Sequence, residues 1–160
     1  MTTLAAPPVL TVLHPGDVAC VGRGDRLETL LGSCVAVVLT DPRRSVGAMC
    51  HVVHARASER TGAKPGCYAD PALDIMAQLL RARGIEPRLC EAYVYGGSNM
   101  FPGVFTQRHV GDDNVRRVLQ RLAEDGIAVR LQDHGGTHYR RVGWTVGQAL
   151  PEVRTASSKA

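Results

Sequence analysis

Cys34 stands where a small-residue turn, Leu31-Gly32-Ser33, gives way to the apolar run Val35-Ala36-Val37-Val38-Leu39. A thiol at such a junction has three uses: nucleophile, metal ligand or small hydrophobe. Nucleophilic work needs a base, because the thiolate attacks and an unperturbed cysteine is mostly protonated at neutral pH. Six histidines are available, at positions 14, 51, 54, 109, 134 and 138. His51 has the best geometry. It falls seventeen residues after Cys34, near the end of the strand-like segment VGAMCHVV (46–53). That segment follows the thiol's own strand after the short connection Asp41-Pro42-Arg43-Arg44-Ser45. Two strands so joined pair as a hairpin, which sets the start of the first beside the end of the second. An imidazole there would take the thiol proton and later return it to a leaving group.

Strand alternation sorts the neighbours. His51 shares a face with Met49 and Val53, whereas Cys50, Val52 and His54 point the other way. Cys50, His51 and His54 are zinc-ligand types, but alternation splits them between faces and no second Cys/His pair follows at zinc spacing. No metal is expected. A core thiol beside a satisfied rim histidine accounts for Cys34 and His51 equally well, and the residue pattern alone leaves both readings open. Cys20, Cys67 and Cys90 have no sequence partner and are read as core packing or surface accidents. The turns around Gly96-Gly97 and Gly135-Gly136 lack the lysine and spacing of a phosphate loop, so they read as strand ends. Near a thiol, such small residues would also let a substrate backbone approach closely.

The elements that must hold these residues are short and mixed. Strands are expected over 26–31, 35–39, 46–53, 89–95, 127–131, 141–146 and 148–153, the last two as a hairpin around Gly147. A helix is expected from Asp70 to Gly84, with Asp70 as N-cap and Pro71 in the first helical position. Ala72, Leu73, Met76, Leu79 and Leu80 form its inner stripe. A second helix over 112–125 carries Val115, Val118, Leu119 and Leu122 at helical spacing, and Gly126 stops it. The polar stretch 56–66 reads as a surface loop. Residues 1–16 read as an N-terminal lead-in, 17–153 as a single domain and 154–160 as a flexible tail. The expected class is α+β (mixed α/β), with β-sheet layers covered by two main amphipathic helices.

Composition narrows the function. A chain of 160 residues can bury one substantial core. Only 4% is aromatic, so a mainly aliphatic core is expected and no row of stacking rings exists for single-stranded nucleic acid. The charge is +4, but basic residues occur in runs no longer than two. Nucleic acid is therefore not an expected partner, whereas an acidic protein surface is. Five cysteines, an odd number with no C-x-x-C and no secretory leader, fit a reducing cytosol. No apolar stretch approaches the ~18 residues needed to cross a bilayer, so no membrane insertion is expected.

Several segments, in order along the chain, make a set that resembles the chemotaxis protein CheD family, the chemoreceptor glutamine deamidases. They are Leu31-Gly32-Ser33-Cys34-Val35, Asp41-Pro42, Gly47-Ala48-Met49-Cys50-His51 and Tyr68-Ala69-Asp70. Gly96-Gly97-Ser98-Asn99-Met100-Phe101, Gly111-Asp112-Asp113-Asn114, and Gly135-Gly136 with Arg140-Arg141-Val142 complete it. The resemblance implies a cysteine-hydrolase-like fold and a Cys-His-Thr constellation. Cys34 would be the nucleophile, His51 the base, and Thr29, the one threonine just upstream of the thiol, the third member. Backbone amides at Ser33 and Cys34 would hold the oxyanion, with no metal or organic cofactor. The implied substrate is a glutamine side chain in the cytoplasmic helical region of a methyl-accepting chemotaxis receptor, hydrolysed to glutamate through a thioester. Glutamyl methyl esters could follow the same route. The implied second partner is the phosphatase CheC, and the implied compartment the cytoplasm. The alternative is a non-catalytic adaptor docking on receptors or CheC.

Overall fold

The computed structural model describes residues 6–56 and 63–156. Along them run β1 (Leu10–Leu13), β2 (Val18–Gly22), β3 (Arg26–Leu31), β4 (Val35–Thr40), β5 (Val46–Val52) and α1 (Ala69–Ala82). There follow β6 (Glu91–Gly96), α2 (Val110–Glu124), β7 (Ala128–His134), β8 (Tyr139–Thr145) and β9 (Glu152–Ala156). Short 3₁₀ turns occupy Pro65–Cys67 and Pro87–Leu89. One sheet has the order β1-β3-β8-β9, the other β2-β5-β4-β6-β7.

The side chains of β4 explain the layering. Val35, Val37 and Leu39 meet Leu73, Met76 and Leu80 of α1 and Val118 and Leu122 of α2. Ala36 and Val38 point the other way, into a core with Leu27, Leu31, Val142 and Trp144 of the four-stranded sheet. The five-stranded sheet is thus sandwiched between helices and a second sheet, an α+β architecture. Every residue of β4 is buried, which is why its sequence is a continuous apolar run instead of an alternation. At Gly47 the two sheets approach closely: a Cβ there would overlap the Trp144 ring.

Several boundaries differ from expectation. Residues 10–13, inside the expected lead-in, form β1, which pairs in parallel with β3 and sets Leu13 beside Thr29. Four residues with only Leu13 buried are too short to show a period. β2, not expected, pairs antiparallel with β5 and is half-buried throughout, so it lacks alternation as well. Residues 154–156, expected in the tail, belong to β9, an exposed edge strand held to β8 by its backbone. Residues 1–5, 157–160 and most of the expected loop, 57–62, lie outside the described residues.

Asp70 does not cap α1. Tyr68 holds the N-cap position and Asp70 lies inside the first turn. Its carboxylate accepts two bonds from Arg117, at 2.6 and 3.2 Å, and one from Arg121 at 3.2 Å. These charge-assisted bonds are stronger than one to a neutral amide, and the position still suits the helix dipole. In α2 the cap is His109, whose Nδ1 accepts the Gly111 N–H at 3.1 Å. Among the described residues, no helix is long and apolar enough to cross a membrane.

Candidate active site

The β4–β5 hairpin sets Ala36 opposite His51 and Val35 opposite Val52. Cys34 comes two residues before Ala36, so it lies on the same face as His51 and diagonal to it, within reach of a long side chain. That face looks toward the four-stranded sheet. There Thr29 takes an inward position of β3 between Leu27 and Leu31. Cys34, His51 and Thr29 line one cavity of about 380 Å³. Cys50 points to the helix-side core instead, so it and His51 face opposite layers.

The hydrogen bonds of Thr29 determine the histidine tautomer. Its Oγ1 lies 2.9 Å from the Leu13 carbonyl and 2.7 Å from His51 Nδ1. A hydroxyl has one proton, and a carbonyl can only accept. Thr29 therefore donates to Leu13 and accepts from His51 Nδ1–H. The neutral imidazole then keeps its lone pair on Nε2. Backbone bonds brace the ring from behind: Gly16 N–H donates to the His51 carbonyl at 2.9 Å, and His51 N–H to the Asp17 carbonyl at 3.2 Å. Thr29 is 1% exposed and His51 3%.

Burial sets the protonation of both groups. It pushes the His51 imidazole down to about 4, against the opposing pull of the Asp17 carboxylate and together with the His14 charge. It pushes the Cys34 thiol up to about 11, with a smaller contribution from Cys67. At neutral pH the pair rests as thiol and free imidazole.

The carbonyls of Gly32, Ser33 and Cys34 are all engaged. Gly32 accepts from Ser98 N–H at 3.0 Å, Cys34 from Gly97 N–H at 2.9 Å, and Ser33 from Asn114 Nδ2 at 3.1 Å. By contrast, the amides of Ser33 and Cys34 donate to no acceptor among the described residues. Gly96, at φ +115°, must be glycine here, because a Cβ would overlap the Cys34 carbonyl. Buried Arg140 anchors this loop, donating to Ser98 Oγ at 2.8 Å, the Gly96 carbonyl at 3.3 Å and Asp133 at 3.2 Å. On the far side of Cys34 a second cavity, also about 380 Å³, is lined by Ser33, Met100, Phe101, Phe105 and Val110. Its mouth is apolar, with Phe101 64% exposed.

Sequence reasoning missed the Leu13 carbonyl, the Arg140–Ser98 anchor and the bond from Asn114. Only Asn114 left a side-chain signal, being a polar residue on the buried stripe of α2. All five cysteines are free, and no group of three or more potential metal ligands occurs among the described residues.

The family model described as CheD chemotactic sensory transduction matches residues 53–154. A "Probable chemoreceptor glutamine deamidase CheD" of Pseudomonas syringae pv. syringae is 36% identical over 134 residues, 82% of this chain and 76% of that one. The "Chemoreceptor glutamine deamidase CheD" of Thermotoga maritima is 35% identical, over 84% of this chain and 85% of that one. This chain belongs to the CheD family. The family match takes in both glycine turns, Asn114 and Arg140, and begins downstream of Thr29, Cys34 and His51. Among solved structures, the Bacillus licheniformis hypothetical protein YfiH aligns with a TM-score of 0.47 at 16% identity, covering 73% of this CheD-family chain and 49% of that one. At that level the likeness carries no argument about function.

Proposed function

We propose that this protein is a chemoreceptor glutamine deamidase, with Cys34 as nucleophile, His51 as general base and acid, and Thr29 as the group that orients His51. The names of its relatives support the substrate class. The observation that carries the roles is the Leu13–Thr29–His51 chain of bonds, which leaves the lone pair on Nε2 of a ring that lines the same cavity as Cys34.

The chemistry follows from a neutral resting pair. Cys34 Sγ attacks the side-chain amide carbon of a receptor glutamine while His51 Nε2 takes the thiol proton. Because neither group is charged beforehand, charge separates only as the C–S bond forms. The oxyanion on the tetrahedral carbon accepts bonds from the unengaged amides of Ser33 and Cys34. His51 Nε2–H then protonates the departing amine, giving ammonia and a thioester. Water, deprotonated by Nε2, attacks the thioester; glutamate is released and the thiol regains its proton. A glutamyl methyl ester follows the same route with methanol leaving, and no step calls on a cofactor.

The proposed partner is the cytoplasmic helical region of a methyl-accepting receptor, so the site of action is the cytoplasm. Two surfaces support an amphipathic, acidic helix as substrate. Exposed Phe101, Phe105 and Val110 rim the apolar cavity at Cys34. Beside it runs a groove of about 480 Å³ lined by Arg56, Arg108, Asp113, Arg116 and Arg117, in which Arg108 pairs with Asp113 and Arg117 with Asp70, and Val110 is common to both cavities. Such charge complementarity acts chiefly on encounter rate. CheC is the proposed second partner. The test is ammonia release from a glutamine-bearing receptor fragment by purified protein: wild type releases it and Cys34→Ala does not. Equal release by both would contradict the proposal and leave an adaptor.

A further inference from the structure

We propose that Asn114 is a positioning residue that aims the Cys34 amide at the oxyanion, an inference that rests on the deamidase reading. A trans peptide is planar, and its C=O and N–H point in opposite directions. The Ser33 carbonyl and the Cys34 amide belong to one such unit. Asn114 Nδ2 holds the Ser33 carbonyl at 3.1 Å, so the Cys34 N–H points the opposite way. The preceding peptide is held in the same manner, with the Gly32 carbonyl bound by Ser98 N–H at 3.0 Å. Both candidate oxyanion donors therefore sit on peptides clamped by their carbonyl ends. A bond to the carbonyl also polarises the peptide and strengthens its N–H as a donor.

The second proton of Asn114 Nδ2 goes to the Val53 carbonyl at 2.9 Å. One amide group thus ties the nucleophile turn to the end of the strand that carries His51. The fold brings α2 close enough for this through two glycines: a Cβ on Gly111 would press on the Gly97 carbonyl, and one on Gly97 would overlap Val115. Asn114 is 0% exposed and shares its stripe with Val115, Val118 and Leu122. Its Oδ1 is buried without a hydrogen-bond partner. An orphaned buried acceptor is destabilising, and a residue kept there despite it calls for an explanation. The donor pair of Nδ2 supplies one, and a carboxylate of the same shape would instead face two carbonyls with acceptors.

The test compares wild type with Asn114→Asp and Asn114→Ala in two reactions of the full chain. Deamidation of a glutamine-bearing receptor fragment needs the oxyanion donors. Alkylation of Cys34 by iodoacetamide displaces iodide, forms no oxyanion, and reads thiol and base alone. Loss of one oxyanion donor predicts kcat for deamidation lower by about 100-fold. KM and the alkylation rate should stay within about twofold, and the pH profile of alkylation should not move. Unchanged kcat would overturn the proposal, as would a parallel fall in deamidation and alkylation. Failure of both variants to fold would assign Asn114 a purely structural role and overturn it too. A wild type that alkylates at Cys34 yet deamidates nothing would overturn the deamidase reading itself, a result distinct from the others.

Discussion

Thr29 accepts the Nδ1 proton of His51 at 2.7 Å because its own proton is committed to the Leu13 carbonyl at 2.9 Å. One hydroxyl thereby fixes both the orientation and the tautomer of a buried imidazole. Thr29→Val keeps the shape and removes the acceptor. We expect kcat for deamidation to fall about 10- to 100-fold with little change in KM, and Thr29→Ser to restore most of it. Steady-state ammonia release checks both variants, and full activity in Thr29→Val would contradict the orienting role.

The Leu13 carbonyl comes from β1, which pairs with β3 through its backbone. Removing residues 1–13 frees the Thr29 hydroxyl proton, which can then turn to His51 Nδ1 and stabilise the wrong tautomer. Activity should fall at least about 10-fold while the hairpin of β4 and β5 remains folded by circular dichroism. A truncated chain with undiminished turnover would show that β1 is dispensable.

The pH behaviour follows from a histidine held neutral by burial. His51 titrates near 4 in the folded chain against an ordinary value of 6.5. Between those values the unfolded chain binds more protons than the folded one, so stability rises with pH. The contribution is full above 6.5 and is lost as pH falls toward 4, a change on the order of 3 kcal/mol. Urea denaturation between these limits should show this slope in wild type and a shallower one in His51→Gln. Asp17 and His14, in the turn between β1 and β2, contribute smaller and opposing effects. The acid limb of kcat/KM should likewise fall near the folded value. A limb above 6 would mean that His51 is not held neutral in this way.

Gly47→Ala tests the packing between the sheets. The added methyl would overlap the buried Trp144 ring, and overpacking of this kind costs about 1–3 kcal/mol. Thermal unfolding should show that loss. By contrast, Asp70→Asn at the partly exposed arginine cluster should cost under about 1 kcal/mol. A reversed order would contradict the layer arrangement.

How much of this could be read beforehand depends on what each residue contributes. That Cys34 and His51 share a face and a cavity was legible because a five-residue connection between two apolar strands allows little besides a hairpin. Alternation then placed Cys50 and His51 on opposite faces, as found. The helices were legible from their stripes, but the Asp70 cap was not, since its arginine partners come from α2, more than forty residues away. β1 and β9 were hidden because they contribute backbone groups at sheet edges, where side chains are free to be polar. Thr29 entered through family resemblance, and its bond to Leu13 through the fold. Asn114 stood in a recognisable segment, but its role depends on which carbonyl it reaches.

The most direct test maps masses along a glutamine-bearing receptor fragment co-expressed with this protein, with Cys34→Ala or with His51→Ala. The account predicts a gain of about one dalton at specific glutamines with wild type, absent with either variant. Gains of the same size at the same positions with Cys34→Ala would contradict it.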